Sequence, residues 1–284
     1  MKKCISLAIL FVLAFAGCKK DAGLAAPDRK IVVDAQISPS NDTIRIVLEY
    51  SKPVNATSYT GSNNSYLVHD IHNEFAGAEV TLSDGIIAKV IKRDAHEGVF
   101  KIAQADFRLI PGKTYQLHVK DGHNREVTAQ TTIPYAVTGA KYSFLGVQAA
   151  GEYKSKYTNR FVFTDQLNAR HYYRLYSGQQ SLMYPTEILY GNHLTEEKSF
   201  TGTDTTVIET IYPTLFSDRN MVTTKYGYFF SCSYEYFQFY RSIENTKGLS
   251  NVPELLEEPV NIYTNIKGGL GIFAGYNLVK IKSE

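Results

Sequence analysis

Among its 284 residues the chain has no tryptophan and only three cysteines. Two of those cysteines, Cys4 and Cys18, fall in or at the end of an apolar leader, so the rest of the chain keeps Cys232 alone and cannot form an internal disulfide. A single thiol raises the idea of a nucleophile. Cys232, however, sits in "YFFSCSYEYF", among aromatics and with no adjacent cation to lower its pKa, which predicts a buried and inert side chain. An excess of charge is missing too. With 30 basic against 28 acidic residues and a formal charge of +2, there is no electrostatic footprint for nucleic acid or for an anionic membrane patch. Catalytic signatures are equally scarce: no G-x-S-x-G, no H-E-x-x-H, and no Ser-x-x-Lys with partners occurs. Glu257 and Glu258 are adjacent, and side chains at adjacent positions of an extended chain point apart. The reading is a protein that is not an enzyme.

What the chain does have is glycine in an unusual cluster. "NIKGGLGIFAGYN", residues 265–277, spells G-x-G-x-x-x-G through Gly269, Gly271 and Gly275. A dinucleotide loop needs a strand before its glycines and a helix after them to hold the pyrophosphate. Here only nine residues follow Gly275, with Leu278, Val279 and Ile281 reading as a closing strand, and Lys267 precedes the glycines. No nucleotide cofactor is expected. The pattern predicts a tight turn at Gly268 and Gly269, one of them at positive φ, and close backbone approach at Gly271 and Gly275. Those two share strand parity, so both are expected to face the domain's aromatic helix. A metal is not expected either. His69 and His72, with Asp70 and Glu74 beside them, form a metal-like cluster, and His118 and His123 are possible further donors. Three-residue spacing supplies only two ligands from one helix face, and a zinc site needs a third and fourth.

The first eighteen residues carry two lysines, an apolar run from Ile5 to Ala16, and small residues before Cys18. This is a signal peptide, residues 1–17, too short for a stable transmembrane helix. Its ending "FAGC" fits a bacterial lipobox, so Cys18 is the expected lipid-attachment site and the body is expected to hang from a membrane by acyl chains. Residues 18–28 form a polar, Ala-rich tether. Beyond it the 21 tyrosines, with Thr, Val and Ile in short alternating runs, predict a mainly β protein.

Strand candidates at 30–37, 43–50, 78–83, 86–93, 114–120 and 125–133 are separated by turns such as Ser83-Asp84-Gly85 and Pro111-Gly112. They predict an N-terminal Ig-like or transthyretin-like β-sandwich over residues 29–135, interrupted by a long Ser, Asn and Tyr-rich loop at 51–77. A larger antiparallel β domain, 136–284, follows, with candidates at 140–148, 159–165, 171–178, 205–212 and 225–231. One segment changes period: Tyr236, Phe239, Tyr240 and Ile243 recur at helical spacing after Ser233 and before Gly248, predicting a helix near 233–246.

The ordered set "KIVVDAQI", "GAEVTLSDG", "FRLIPGKTYQLHV", "TTIP" and "PELLEEPVNIYTNIKGGLGIFAGYN" resembles the DUF4249 family of Bacteroidetes lipoproteins, over essentially the whole mature chain. The ending is the most specific part, through Pro259, Asn261, Asn265, Gly268, Gly269, Gly271 and Phe273. The resemblance implies an outer-membrane lipoprotein of unassigned activity, found beside TonB-dependent receptors, and it reads the glycines as a structural signature of a C-terminal sheet. Lys19, directly after the lipidated cysteine, fits sorting to the outer membrane. The expected partners are therefore outer-membrane lipid, through Cys18, and a TonB-dependent receptor, with no cofactor. Thr43 and Thr205, in "DTI" and "DTT", resemble the O-glycosylation pattern of that phylum. The expected function is a non-catalytic accessory to a TonB-dependent nutrient transporter, capturing or gating a ligand, with Tyr59 to Tyr66 and the loops around Tyr184 to Tyr190 as recognition segments. The alternative is a structural or adhesive cell-surface protein.

Overall fold

The computed structural model describes residues 28–51, 75–150, 154–164, 171–181, 187–197, 203–213, 223–246 and 261–283. Cys18, the leader, the tether up to residue 27, the cluster from His69 to Glu74, Tyr59 to Tyr66, Tyr184, Glu257 to Pro259 and Gly248 lie outside them. The fold is mainly β, with one helix among the described residues.

Strands β1 (Ile31–Ile37) and β2 (Thr43–Tyr50) alternate strictly between buried and outward positions, as a half-buried strand should. They are followed by β3 (Glu79–Ser83), β4 (Ala88–Arg93), β5 (Phe100–Ala103), β6 (Thr114–Lys120) and β7 (Glu126–Thr132). Their inward residues form one apolar core that includes Val33, Ile46, Leu82, Tyr115 and Val127. Strand β5, only four residues long, has no counterpart among the sequence candidates.

The second half contributes β8 (Thr138–Ala149), β9 (Lys154–Thr164), β10 (His171–Ser181), β11 (Glu187–Glu197), β12 (Thr203–Pro213), β13 (Thr223–Cys232), helix α1 (Tyr234–Thr246) and β14 (Leu270–Lys282). Residues 187–190 thus belong to β11, not to a loop as the sequence reading had it. Thr43 begins β2 and Thr205 lies within β12. The helix starts where expected: Ser233 Oγ accepts a hydrogen bond from Tyr236 N at 3.3 Å, satisfying one of the first-turn donors.

An 11-stranded sheet runs in the order β11-β10-β13-β14-β1-β2-β5-β4-β3-β6-β7. It is continuous across residue 135 because β14 pairs on one side with β13, antiparallel, and on the other with β1, parallel. That parallel pair makes the sheet mixed. It joins the first strand to the last, two segments whose pairing no local pattern could announce. Around β10, β13 and β14 the second half forms three layers. Tyr236 and Phe237 of α1 pack with Tyr172, Cys232, Ile272 and Ala274 on one face. Tyr142, Phe161 and Phe163 of the separate β12-β9-β8 sheet pack with Tyr173, Leu175 and Phe229 on the other.

A buried carboxylate ties down the end of the sheet where the described chain begins. Asp121 Oδ2 accepts hydrogen bonds from Tyr50 Oη at 2.8 Å and Arg125 Nε at 2.7 Å, while its Oδ1 accepts the backbone N–H groups of His123 and Arg125, both at 2.8 Å. The Arg125 guanidinium lies 4.4 Å from the Tyr50 ring centroid and donates to Arg29 O at 2.7 Å. Burial alone would raise the Asp121 pKa, but these donors outweigh it and hold the carboxyl down at about 2. A carboxyl depressed below its unfolded value near 3.9 stabilises the fold above that pH, and the contribution is lost as pH falls toward about 2. Asp84 and Asp94, held at about 2 chiefly by turn backbone N–H groups, steepen the same limb. Asp121→Asn is expected to cost about 1.5–3 kcal/mol at pH 7, the range for hydrogen bonds to a charged group. Its denaturation midpoint should also fall less steeply than the wild type's between pH 4 and pH 2. Parallel slopes would show that Asp121 does not titrate with folding.

Candidate functional site

The glycine cluster sits where β14 enters the sheet. Gly268 has φ of 83° and Gly271 φ of 96°, conformations that a residue with a Cβ adopts only under strain. At Gly271 a Cβ would also fall on the Val33 carbonyl of β1, so only glycine allows the parallel pair to close there. Asn265 holds the turn shut. Its Oδ1 accepts Phe273 N at 3.0 Å, and its Nδ2 donates to Phe273 O at 2.7 Å and to Gln130 O at 3.2 Å. The side-chain amide thereby acts as a one-residue strand partner for β14. A strand, not a helix, follows Gly275, so this motif lacks the helix N-terminus that a pyrophosphate would occupy.

The expectation that Gly271 and Gly275 admit the aromatic helix is corrected by the register. Ile272 and Ala274 face α1, whereas Phe273, of the same parity as the two glycines, enters the core of the first seven strands. The glycines make room for backbone: Val33 of β1 at Gly271, and Thr132 and Ile133 at Gly275.

The segment leading into this turn builds a groove. Lys267 and Thr128 exchange both backbone hydrogen bonds, at 2.8 and 3.1 Å, laying the segment antiparallel beside β7. Next to it the outward residues of β3, β6 and β7 floor an open groove of about 700 Å³, lined by Thr81, Ser83, Gln116, His118, Thr128 and Gln130. Its lining is completed by Thr264 to Lys267 and by Glu235, in the first turn of α1. Glu235 Oε2 accepts a hydrogen bond from Thr131 Oγ1 at 3.1 Å, which fixes the carboxylate against β7. His118 Nε2 lies 3.6 Å from Glu126 Oε2. The floor thus carries hydroxyls, carboxamides and one imidazole beside apolar surface that includes Leu117, Ala129 and Ile266, with one cationic and one anionic side chain on the rim. Such a surface can exchange many hydrogen bonds with a polar ligand of little net charge.

The sequence candidates scatter. His118 is in the groove, while His123 lies in the β6–β7 turn. Among the described residues no three His, Cys, Asp or Glu side chains converge on a possible metal position. Cys232 is buried beneath α1, and burial pushes its thiol pKa far above the ordinary value. His118, Asn265 and Lys267 were singled out in the sequence for other reasons, and nothing there joined them to the rest of the groove. Alternation in β6 and β7 does mark Gln116, His118, Thr128 and Gln130 as outward, but the rim comes from residues more than a hundred positions later.

A domain of unknown function, DUF4249, matches residues 21–282. The chain belongs to the DUF4249 family. No curated protein matches it. Within this DUF4249 chain the terminal signature has a geometric role: Asn265 clamps the turn, and Gly268 and Gly271 let it meet β7 and β1.

Gly271→Val should destabilise the fold by more than about 2 kcal/mol, from positive φ together with overpacking. Saturating ATP or NAD should leave the wild-type melting temperature unchanged, whereas a ligand at a hundred times its Kd adds about 2.7 kcal/mol. A nucleotide-dependent rise in melting temperature would refute the structural reading of the glycines. For Cys232, a bulky maleimide should label the native chain far more slowly than the urea-unfolded chain. Equal rates would place the thiol at an accessible surface.

Proposed function

We propose that the chain is a non-catalytic, outer-membrane lipoprotein, anchored through Cys18, that serves a TonB-dependent transporter by capturing a polar nutrient. The groove over β3, β6 and β7 carries this reading. It is open, preformed and rich in hydroxyl and amide groups, and its rim is held by the family's own signature segment. The leader with its terminal cysteine, and the resemblance to a lipoprotein family carried by the terminal motif, support the placement. Ligand capture asks only for such a surface and for a partner that receives the ligand.

Metabolically supplied palmitate should label the wild type and not Cys18→Ser. Solubilisation of outer membranes in mild detergent, after crosslinking, should recover a TonB-dependent receptor with the protein. Recovery of the protein alone, joined to normal growth of a deletion strain on every single nutrient, would replace this reading with a structural or adhesive role. Protease shaving of intact cells then tells whether the body faces outward.

A further inference from the structure

Residues 133–137 connect β7 to β8 over a small cavity of about 170 Å³. Gly112 N, donating to Ile133 O at 2.7 Å, and Asn277 Nδ2, donating to Pro134 O at 3.3 Å, pin that connection. Among the described residues the small cavity is lined by no Asp, Glu, Lys or Arg. The larger groove over β3, β6 and β7 differs, because it holds one carboxylate, Glu235, and one ammonium, Lys267. Neither belongs to an ion pair among the described residues.

Strand geometry fixes where these two charges stand. Lys267 and Thr128 form a hydrogen-bonded antiparallel pair, and side chains directly opposite in such a pair share a face. Thr128 is an outward residue of β7, so the exposed Lys267 side chain rises on the same open face. The half-buried Glu235 is held by Thr131, three residues farther along β7. Three strand steps of about 3.4 Å set the two charge positions about 10 Å apart along the strand. Between them stands Gln130, with Gln116 of β6 directly opposite, and both are exposed. Each carboxamide offers donors and an acceptor.

A ligand that answers this arrangement carries an ammonium at one end, a carboxylate at the other, and amide groups between. A tripeptide with free termini has that composition and the matching reach, since three extended residues span about 10 Å. A neutral sugar answers neither charge, and among the described residues no Phe or Tyr ring lines the groove for a sugar face to rest on. We propose that the groove binds a short peptide through its free ends, Glu235 taking the ammonium, Lys267 the carboxylate, and Gln116 and Gln130 the amides between. This rests on the reading of the groove as the capture site and narrows its ligand to a zwitterion.

The test is equilibrium dialysis of the detergent-solubilised full chain against labelled trialanine, N-acetyl-trialanine and trialanine amide. Capping either end is expected to weaken binding about fivefold, the upper end for one exposed ion pair. Glu235→Gln should bring N-acetyl-trialanine within about twofold of trialanine while the amide keeps its penalty, and Lys267→Gln should do the reverse, as a double-mutant cycle requires. Should Glu235→Gln loosen the start of α1, Lys267→Gln, at an exposed position, decides through the amide probe. Equal retention of free and capped peptides by the wild type overturns the proposal, and so does a capping penalty that survives the matching substitution. Failure to retain trialanine overturns it as well. A receptor still recovered after crosslinking then leaves the capture reading standing with a ligand of another class, whereas recovery of none removes both.

Discussion

Strand β14 must pass at backbone distance between β1 and the end of β7, and the rest of the molecule is arranged around that passage. Its first half pairs with β1, from Leu270 opposite Val32 to Gly275 opposite Ile37, and its second half pairs with β13, from Tyr276 to Lys282. One strand therefore contributes to two cores: Phe273 to the first, and Val279 and Ile281 to the second. Its other face, through Ile272 and Ala274, seats α1. Side chains at Gly268 and Gly271 would prevent the approach, which is why the glycines cluster at the entry and give way to larger residues beyond Gly275.

Closing a parallel pair that begins with Val32 opposite Leu270 is costly in chain entropy, since the loop holds nearly the whole protein. Local clamps offset part of that cost by fixing the returning segment on its own account. Asn265 pairs with Phe273 eight residues on, and the Lys267–Thr128 bridge docks the segment onto β7 before β1 is reached. Gly275 N adds a hydrogen bond to Thr131 Oγ1 at 2.9 Å, and Ser233 N donates to Gly275 O at 2.9 Å, so the start of α1 is set from the same strand.

This division between local and distant causes explains what the sequence made legible. Strict alternation in β1, β2, β6 and β7 exposes those strands to inspection, and Ser233 followed by an aromatic stripe exposes α1. Strand β5 is four residues long, too short for a period to register. In β11, "EILYGNHLTEE", a central glycine and polar residues break the pattern, and pairing with β10 supplies the order instead. The glycine signature was recognisable as structural, yet its partner was misread as the helix. Parity told that Gly271 and Gly275 share a face; only the parallel register tells that the face meets β1 and the end of β7. The groove was invisible for the same reason, its floor and its rim being joined by long-range pairing alone.

The two cavities occupy different stations along β7, and their separation follows from strand geometry. At the Glu126 end, Asp121, Arg125 and Tyr50 grip Arg29, so the chain enters the fold there. At the Thr132 end lies the pinned connection to β8 with the small cavity beneath it. The seven residues of β7 make six steps from end to end, about 20 Å at the usual rise per residue. The groove runs over the outward residues Thr128 and Gln130 in the middle. The groove therefore opens over the middle of β7, clear of the Asp121 grip at one end of the strand and of the pinned connection at the other.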